Sequence, residues 1–270
     1  MSTYLNYKRG MKHIGLFEGI GGFSYAAKLI GWETVAWCEW NEFGQRVLKY
    51  HFPEAEGFGD ITKTDFKKYA NTVNILTGGF PCQPYSIAGK RLGKEDERHL
   101  WPEMLRAVRE VQPPWVVGEN VLGLLNWNGG LVFDEVQTDL EAEGYEVWPY
   151  VLPACGINAP HTRERVWFVA YSREKLFNAT ITENRSVKDI EARPEKRGQN
   201  WNEFKLGATI GNTGIGFYNG VDFEPSVIRV NDGISTELDE LEAFGNAIVP
   251  QVALQIFRAI AQCQNEMLIK

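Results

Sequence analysis

Along residues 13–171, short apolar runs alternate with longer amphipathic stretches, and glycine, proline or an acid marks most of the junctions. Strand character falls at residues 13–17, 34–38, 73–77, 115–118, 145–152 and 166–171. Helix character falls at residues 23–30, 42–51, 100–111 and 131–143. Pro53 and the pair Pro113-Pro114 stop two of those helices, because proline lacks the backbone donor that a further turn needs. A β-α-β-α rhythm of this kind specifies an α/β fold, a doubly wound, mostly parallel sheet with helices on both faces. Ligands of such sheets sit at the carboxyl ends of the strands. The turns after Phe17, Cys38, Thr77 and Gly118 all fall at that edge.

The rhythm breaks after Tyr171. Residues 172–240 are polar, rich in Asn, Gly and charge, and weakly periodic; helical periodicity returns at 247–261. The expected division is one large domain, 1–171 plus 241–270, interrupted by a small module at 172–240. A chain of 270 residues buries a core without covalent staples. Its four cysteines, Cys38, Cys82, Cys155 and Cys263, are far apart and form no C-x-x-C pair. Reduced thiols in a cytoplasmic protein are expected, with no structural zinc and no disulfide framework. No stretch approaches 18 consecutive apolar residues, so no membrane span is expected.

The formal charge is −7, from 28 basic and 35 acidic residues. Taken whole, that argues against a protein that coats nucleic acid with positive charge. The distribution answers the objection. Residues 83–98 include Lys90, Arg91, Lys94 and Arg98, and residues 173–205 carry eight basic against six acidic side chains. The sign of a cleft, not of the whole chain, governs what enters it.

Six clusters at strand ends or entries carry chemistry. Glu18-Gly19-Ile20-Gly21-Gly22-Phe23 joins a strand to a helix, and its glycines let backbone approach a ligand at a helix N-terminus. A dinucleotide fingerprint would need glycine where Ser24 stands, so a nucleoside bearing a carboxylate fits better than a diphosphate. Glu39-Trp40 ends the next strand, an acid for ribose hydroxyls beside an indole for an adenine face. Asp60-Ile61 follows, with a carboxylate for an adenine amino group. In Gly79-Phe80-Pro81-Cys82-Gln83-Pro84 a thiol is fixed between two prolines outside any apolar run, which suits a nucleophile better than a core cysteine. Glu119 ends an apolar strand, where a partly dry pocket raises a carboxyl pKa and makes it a proton donor. Arg163 and Arg165, two apart at the entry to a strand, point the same way and can both face a polar pocket or an oxyanion.

Taken in order, these segments resemble the motifs of the DNA (cytosine-5) methyltransferases. FEGIGGFS (17–24), Glu39-Trp40, Asp60-Ile61, GGFPCQPYS (78–86), GENV (118–121), HTRERVW (161–167) and FGNAIVP (244–250) are similar to that family's conserved segments. The resemblance implies a Rossmann-like, S-adenosylmethionine-dependent methyltransferase, with residues 172–240 as a small target-recognition insertion. It places Phe17, Gly19, Gly21, Gly22, Phe23, Glu39, Trp40, Asp60, Ile61, Pro81, Asn246, Ala247 and Ile248 around S-adenosylmethionine. It assigns Cys82 as the nucleophile, Glu119 as the acid at cytosine N3, and Arg165, with Arg163, at the O2 side. It implies double-stranded DNA as partner, met by Gln83, Ser86, Lys90, Arg91 and Arg98 of a closing loop. It further implies a monomer, with a cognate restriction endonuclease as a candidate partner and no metal.

Three departures stand out. The insertion is short, the family's R-x-L-x-x-R-E motif is missing with Arg229 its nearest substitute, and His161 stands where the family has Gln. Three other readings are weighed: an RNA substrate, a silent DNA-binding module that kept the fold, and a nicotinamide-dependent oxidoreductase. Phe80-Pro81-Cys82 disfavours the first, the complete catalytic set the second, and Ser24 the third.

Overall fold

The computed structural model describes residues 10–81, 100–157, 159, 162–176 and 247–269. Seven strands form one sheet: β1 (Lys12–Leu16), β2 (Glu33–Cys38), β3 (Glu56–Phe58), β4 (Ile75–Gly78), β5 (Trp115–Val121), β6 (Glu146–Pro153) and β7 (Glu164–Tyr171). The spatial order is β3-β2-β1-β4-β5-β7-β6. The first five pair in parallel, and β7 runs antiparallel to both β5 and β6. Helices α1 (Gly22–Leu29), α2 (Glu42–His51), α3 (Trp101–Val111), α4 (Leu131–Ala142) and α5 (Pro250–Ile269) pack with the sheet.

Alternation along the strands separates two apolar layers. Ile14, Leu16, Leu76, Val116 and Phe168 face the side covered by α3 and α4, with Met104, Val108, Val136 and Leu140. Ile75, Trp115, Val117, Trp167 and Val169 face the other side, with Phe23 and Ala27 of α1 and Phe257 and Ile260 of α5. Period-two strands with both faces apolar are what a sheet buried on both sides requires. The returning helix α5 is seated by Phe257, which stacks on Trp32 at 4.8 Å between ring centroids.

The chain leaves β1 toward β2 and β3 on one side, then returns to β4 on the other. The gap between β1 and β4 is therefore the topological switch point, where loops diverge and leave a crevice. Boundaries differ from the sequence expectation at two useful places. β5 runs on through Glu119 and Asn120, because β7 supplies ladder partners out to Val121 opposite Arg165. Glu119 is thus held inside a strand, not in the turn beyond it. The last helix begins at Pro250 and continues to Ile269, past the expected 247–261; proline suits a first helical position.

His13, in the middle of β1, is fully buried. Its Nδ1 lies 3.1 Å from Thr34 Oγ1 and its Nε2 2.8 Å from Thr77 Oγ1, so both nitrogens are engaged by hydroxyls of neighbouring strands. Burial pushes its pKa down to about 3. The folded chain keeps this imidazole neutral, while the unfolded chain protonates it below about pH 6.5. Stability is therefore lost as pH falls from about 6.5 toward 3. Compared with His13→Gln, the wild-type unfolding free energy should drop by about 1.4 kcal/mol per pH unit in that window. Parallel urea-unfolding profiles of the two proteins from pH 7.5 to 4 would contradict this.

Candidate active site

The loop after β1 is shaped by three left-handed residues, Phe17 (φ 52°), Gly19 (φ 57°) and Gly21 (φ 92°). Glycine adopts such angles freely; Phe17 does so at a cost that the surroundings must offset. The loop is tied to the end of β2 by Glu39. One carboxylate oxygen accepts from the Gly19 N–H at 2.6 Å and the other from the Asn41 N–H at 2.7 Å. Burial raises the Glu39 pKa, and these N–H bonds work against the rise. The neighbouring Trp40 is 81% exposed, an indole face open to a planar ligand. After β3, Asp60 accepts from the Thr62 N–H at 3.0 Å and from the Thr62 hydroxyl at 2.7 Å, capping a short 3-10 turn, Ile61–Lys63. The Thr62 hydroxyl and then Lys63, at 3.0 Å, hold its carboxyl below the usual range.

That turn is gripped from outside. Arg106 of α3 donates to the carbonyls of Ile61 at 2.6 Å and Thr64 at 3.0 Å, while Glu103 and Glu110 neutralise it. No short motif announces Arg106, which lies more than forty positions away in sequence.

On the other side of the crevice, β4 runs into Gly79-Phe80-Pro81. The buried Phe80 ring packs on Trp101 at 5.1 Å, and its carbonyl accepts from Asn120 Nδ2 at 3.0 Å. Asn120 also accepts the Val121 N–H at 2.9 Å through its own oxygen. β5 thereby fixes where the Cys82 loop departs. Cys82, Gln83, Ser86, Lys90, Arg91 and Arg98 lie outside the described residues, as do His161, Asn246, Arg229 and nearly all of 172–240.

Next to Asn120, Glu119 is 7% exposed. Arg165 Nε lies 3.1 Å from its Oε1. Burial pushes the Glu119 pKa up to about 7, and the charges of Arg165 and Arg163 hold it from going further. Both arginines act on Glu119, but from different placements. Arg165 belongs to β7, whereas Arg163 precedes it with φ 31° and donates to the Ala247 carbonyl at 2.6 Å. The segment so held bridges the two halves. A Cβ placed on Gly22 would fall 2.6 Å from Ile248 Cγ1. One placed on Gly79 would fall 3.3 Å from Glu119 Oε2 and 3.9 Å from Ile248 Cγ2. Glycine loop, β4 exit, Glu119 and the 247–248 strap therefore converge at one crevice.

Asn120 should act on the Cys82 loop rather than on cofactor contacts. Asn120→Ala leaves the buried Phe80 carbonyl without this donor, at about 1–3 kcal/mol. The expected result is a fall in kcat of about tenfold or more, with cofactor Kd changed by less than about threefold. An unchanged kcat would remove Asn120 from this role.

Among the described cysteines, Cys38 and Cys263 are buried and Cys155 is exposed, all as free thiols. Among the described residues no helix is long and apolar enough to cross a membrane.

A mostly parallel sheet with a glycine-rich turn, an acid at the next strand end and a buried acid–arginine pair at the same edge has the architecture of Rossmann-like methyltransferases. The profile of the C-5 cytosine-specific DNA methylases matches residues 11–212, and the chain belongs to that family. It is 34% identical over 203 residues to the type II methyltransferase M.Eco47II of Escherichia coli, covering 69% of this chain and 49% of that protein. It is 35% identical over 166 residues to M.HhaI of Haemophilus parahaemolyticus, covering 61% and 50%. A prophage-encoded DNA modification methyltransferase structure from E. coli superposes with a TM-score of 0.53 at 22% identity, covering 61% and 47%. The chain spans about half the length of the curated relatives it matches.

Proposed function

We propose that this protein transfers a methyl group from S-adenosylmethionine to carbon-5 of a cytosine flipped out of a specific double-stranded DNA sequence, through a covalent bond from Cys82. The observation that carries the reading is Glu119. It is a buried carboxyl beside Arg165, next in sequence to the asparagine that holds the root of the Cys82 loop. Family membership alone would permit a silent relative; a carboxyl kept near neutrality at this place serves proton donation.

The residues of the crevice fit S-adenosylmethionine. Trp40 offers an open ring face, Glu39 retains acceptor capacity beyond its two N–H bonds, and Asp60 fixes the turn beneath. Phe17, Gly19, Gly21, Gly22, Phe23, Ile61, Pro81, Ala247 and Ile248 complete the set, and the family resemblance adds Asn246. When bound, the cofactor supplies an electrophilic methyl on a positively charged sulfur.

Carbon-5 of cytosine is not nucleophilic by itself. The Cys82 thiolate forms a bond to carbon-6, and the ring electrons displaced are received at N3, where Glu119 gives its proton. Arg165 holds O2, and Arg163 adds positive charge while anchoring the strap. Carbon-5, now an enamine carbon, would take the methyl group as its bond to the cofactor sulfur breaks, leaving the neutral thioether S-adenosylhomocysteine. Loss of the carbon-5 proton to water restores the 5,6 double bond and expels Cys82 as the thiolate, and N3 returns its proton to Glu119. A stacked base presents neither carbon-6 nor N3 to these groups, so the cytosine must leave the duplex. Gln83, Ser86, Lys90, Arg91 and Arg98 close over it. Residues 1–171 with 241–270 form the catalytic domain, and 172–240 select the target.

The direct test is covalent trapping on duplexes containing 5-fluorocytosine, since fluorine cannot leave as the proton does. With S-adenosylmethionine present, an adduct mapping to Cys82 is expected, and bisulfite sequencing of DNA from expressing cells should reveal one methylated sequence. Trapping on no such DNA, with no methylated site, would overturn the reading.

A further inference from the structure

The mechanism above leaves one buried acid without a task. Glu18 is 4% exposed, and its side chain turns inward beneath the glycine loop rather than out toward the crevice. Its carboxyl takes the space where β1 would otherwise carry a side chain: a Cβ on Gly15 would fall 1.6 Å from Glu18 Oε1. The buried Ser24 of α1 bonds it twice, through the hydroxyl at 2.9 Å and through the N–H at 3.4 Å, and the Phe23 N–H bonds it as well. Gly21, the residue that opens α1, has no side chain with which to cap the helix. Glu18 does that capping from three positions upstream, while its backbone carbonyl accepts the Gly21 N–H at 2.9 Å. One carboxyl therefore joins β1, the glycine loop and α1.

The electrostatics around it are one-sided. Among the described residues, the ionic group acting on it is Glu39 at the end of β2, a like charge. α1 presents N–H groups and a hydroxyl, which favour the ionised form, and β1 presents the bare backbone of Gly15. Burial outweighs the hydrogen bonds and pushes the Glu18 pKa up to about 8. An ionised carboxyl at this place would have to regain water. It would do so by turning outward, and Gly19 and Gly21 lie on the segment that would turn with it.

We propose that Glu18 is a positioning residue for the cofactor loop that acts as the neutral acid, so that binding S-adenosylmethionine requires its proton to stay on. This rests on the methyltransferase reading above and adds to it a pH limit set within the loop itself. The loop is competent only in the fraction of molecules with Glu18 protonated, and apparent affinity scales with that fraction.

The test is the Kd of S-adenosylmethionine, by calorimetry, from pH 6.5 to 9.5. The cofactor's own amino group titrates in every sample, so the quantity to read is wild type relative to Glu18→Gln at each pH. Between pH 7 and 9 the wild type should weaken about tenfold more than Glu18→Gln, which keeps the shape of the neutral acid and cannot ionise. Ser24→Ala removes the hydroxyl bond that favours the ionised form and keeps the N–H bond, so its loss of affinity should begin at higher pH than in the wild type. Parallel profiles for wild type and Glu18→Gln would overturn the proposal, as would an earlier loss in Ser24→Ala. If Glu18→Gln does not fold, the direction of the Ser24→Ala shift decides. A wild-type protein that binds no cofactor at any pH overturns the methyltransferase reading itself.

Discussion

Cys82→Ser should abolish methyl transfer while leaving S-adenosylmethionine bound. The two side chains differ by one atom and little in volume, so packing is not what changes. A thiol reaches its anionic form near neutrality when its surroundings favour the thiolate, whereas a serine hydroxyl stays protonated without an adjacent base. Addition to carbon-6 needs the anion, and carbon-5 stays inert until that addition has occurred. The expected loss is on the order of 10⁴-fold or more, the scale seen when a covalent nucleophile is removed. The cofactor contacts proposed here lie mainly on the loops after β1, β2 and β3 and on the 247–248 strap, all outside the Cys82 loop. Calorimetric binding of S-adenosylhomocysteine should therefore change little. Labelled-methyl incorporation into DNA at near wild-type rate would sink the nucleophile assignment.

How much of the fold and the site is legible in the sequence follows from the range of the interactions involved. The β-α rhythm, the switch-point turns and the acids at strand ends are local in sequence. Turn geometry and strand exit constrain residue types within a few positions, so the glycine loop, Glu39 and Asp60 could be placed by reading along the chain. Boundaries set by pairing partners were not legible. β5 gains Glu119 and Asn120 only because β7 lies beside it, antiparallel and in register. The two arginines show the same limit. Their spacing pointed both the same way, toward a polar pocket or an oxyanion, yet Arg163 stands before the strand and is bonded to Ala247, 84 residues away. Arg106 is invisible to any local rule, since its value lies in carbonyls 42 and 45 positions upstream. Glu18 stood in plain view inside a recognised loop. That it folds inward depends on the missing side chain of Gly15, a clue readable only after the structure shows the two in contact.

Glu119→Gln should lower kcat/KM by roughly 10²–10⁴-fold, the usual contribution of a positioned general acid. The amide keeps the size and can still hydrogen-bond to a ring nitrogen, so binding of the flipped base should survive better than turnover. What it cannot do is give up a proton as the ring gains electrons. The pH profile separates this from a steric defect. With the Glu119 pKa pushed up to about 7, the carboxyl is mostly protonated below that value and ionised above it. The proton to be donated is therefore lost as pH rises, and the alkaline limb of wild-type kcat/KM should centre near 7. Glu119→Gln should lose that limb. Arg165→Ala gives the converse case: removing the charge 3.1 Å from the carboxyl raises its pKa, so the limb should move to higher pH even as the rate falls. An alkaline limb that stays in place in both variants would mean that another group gives the proton. Glu119 would then be an acid buried for the sake of the fold, and the chemistry would have to be sought elsewhere in the crevice.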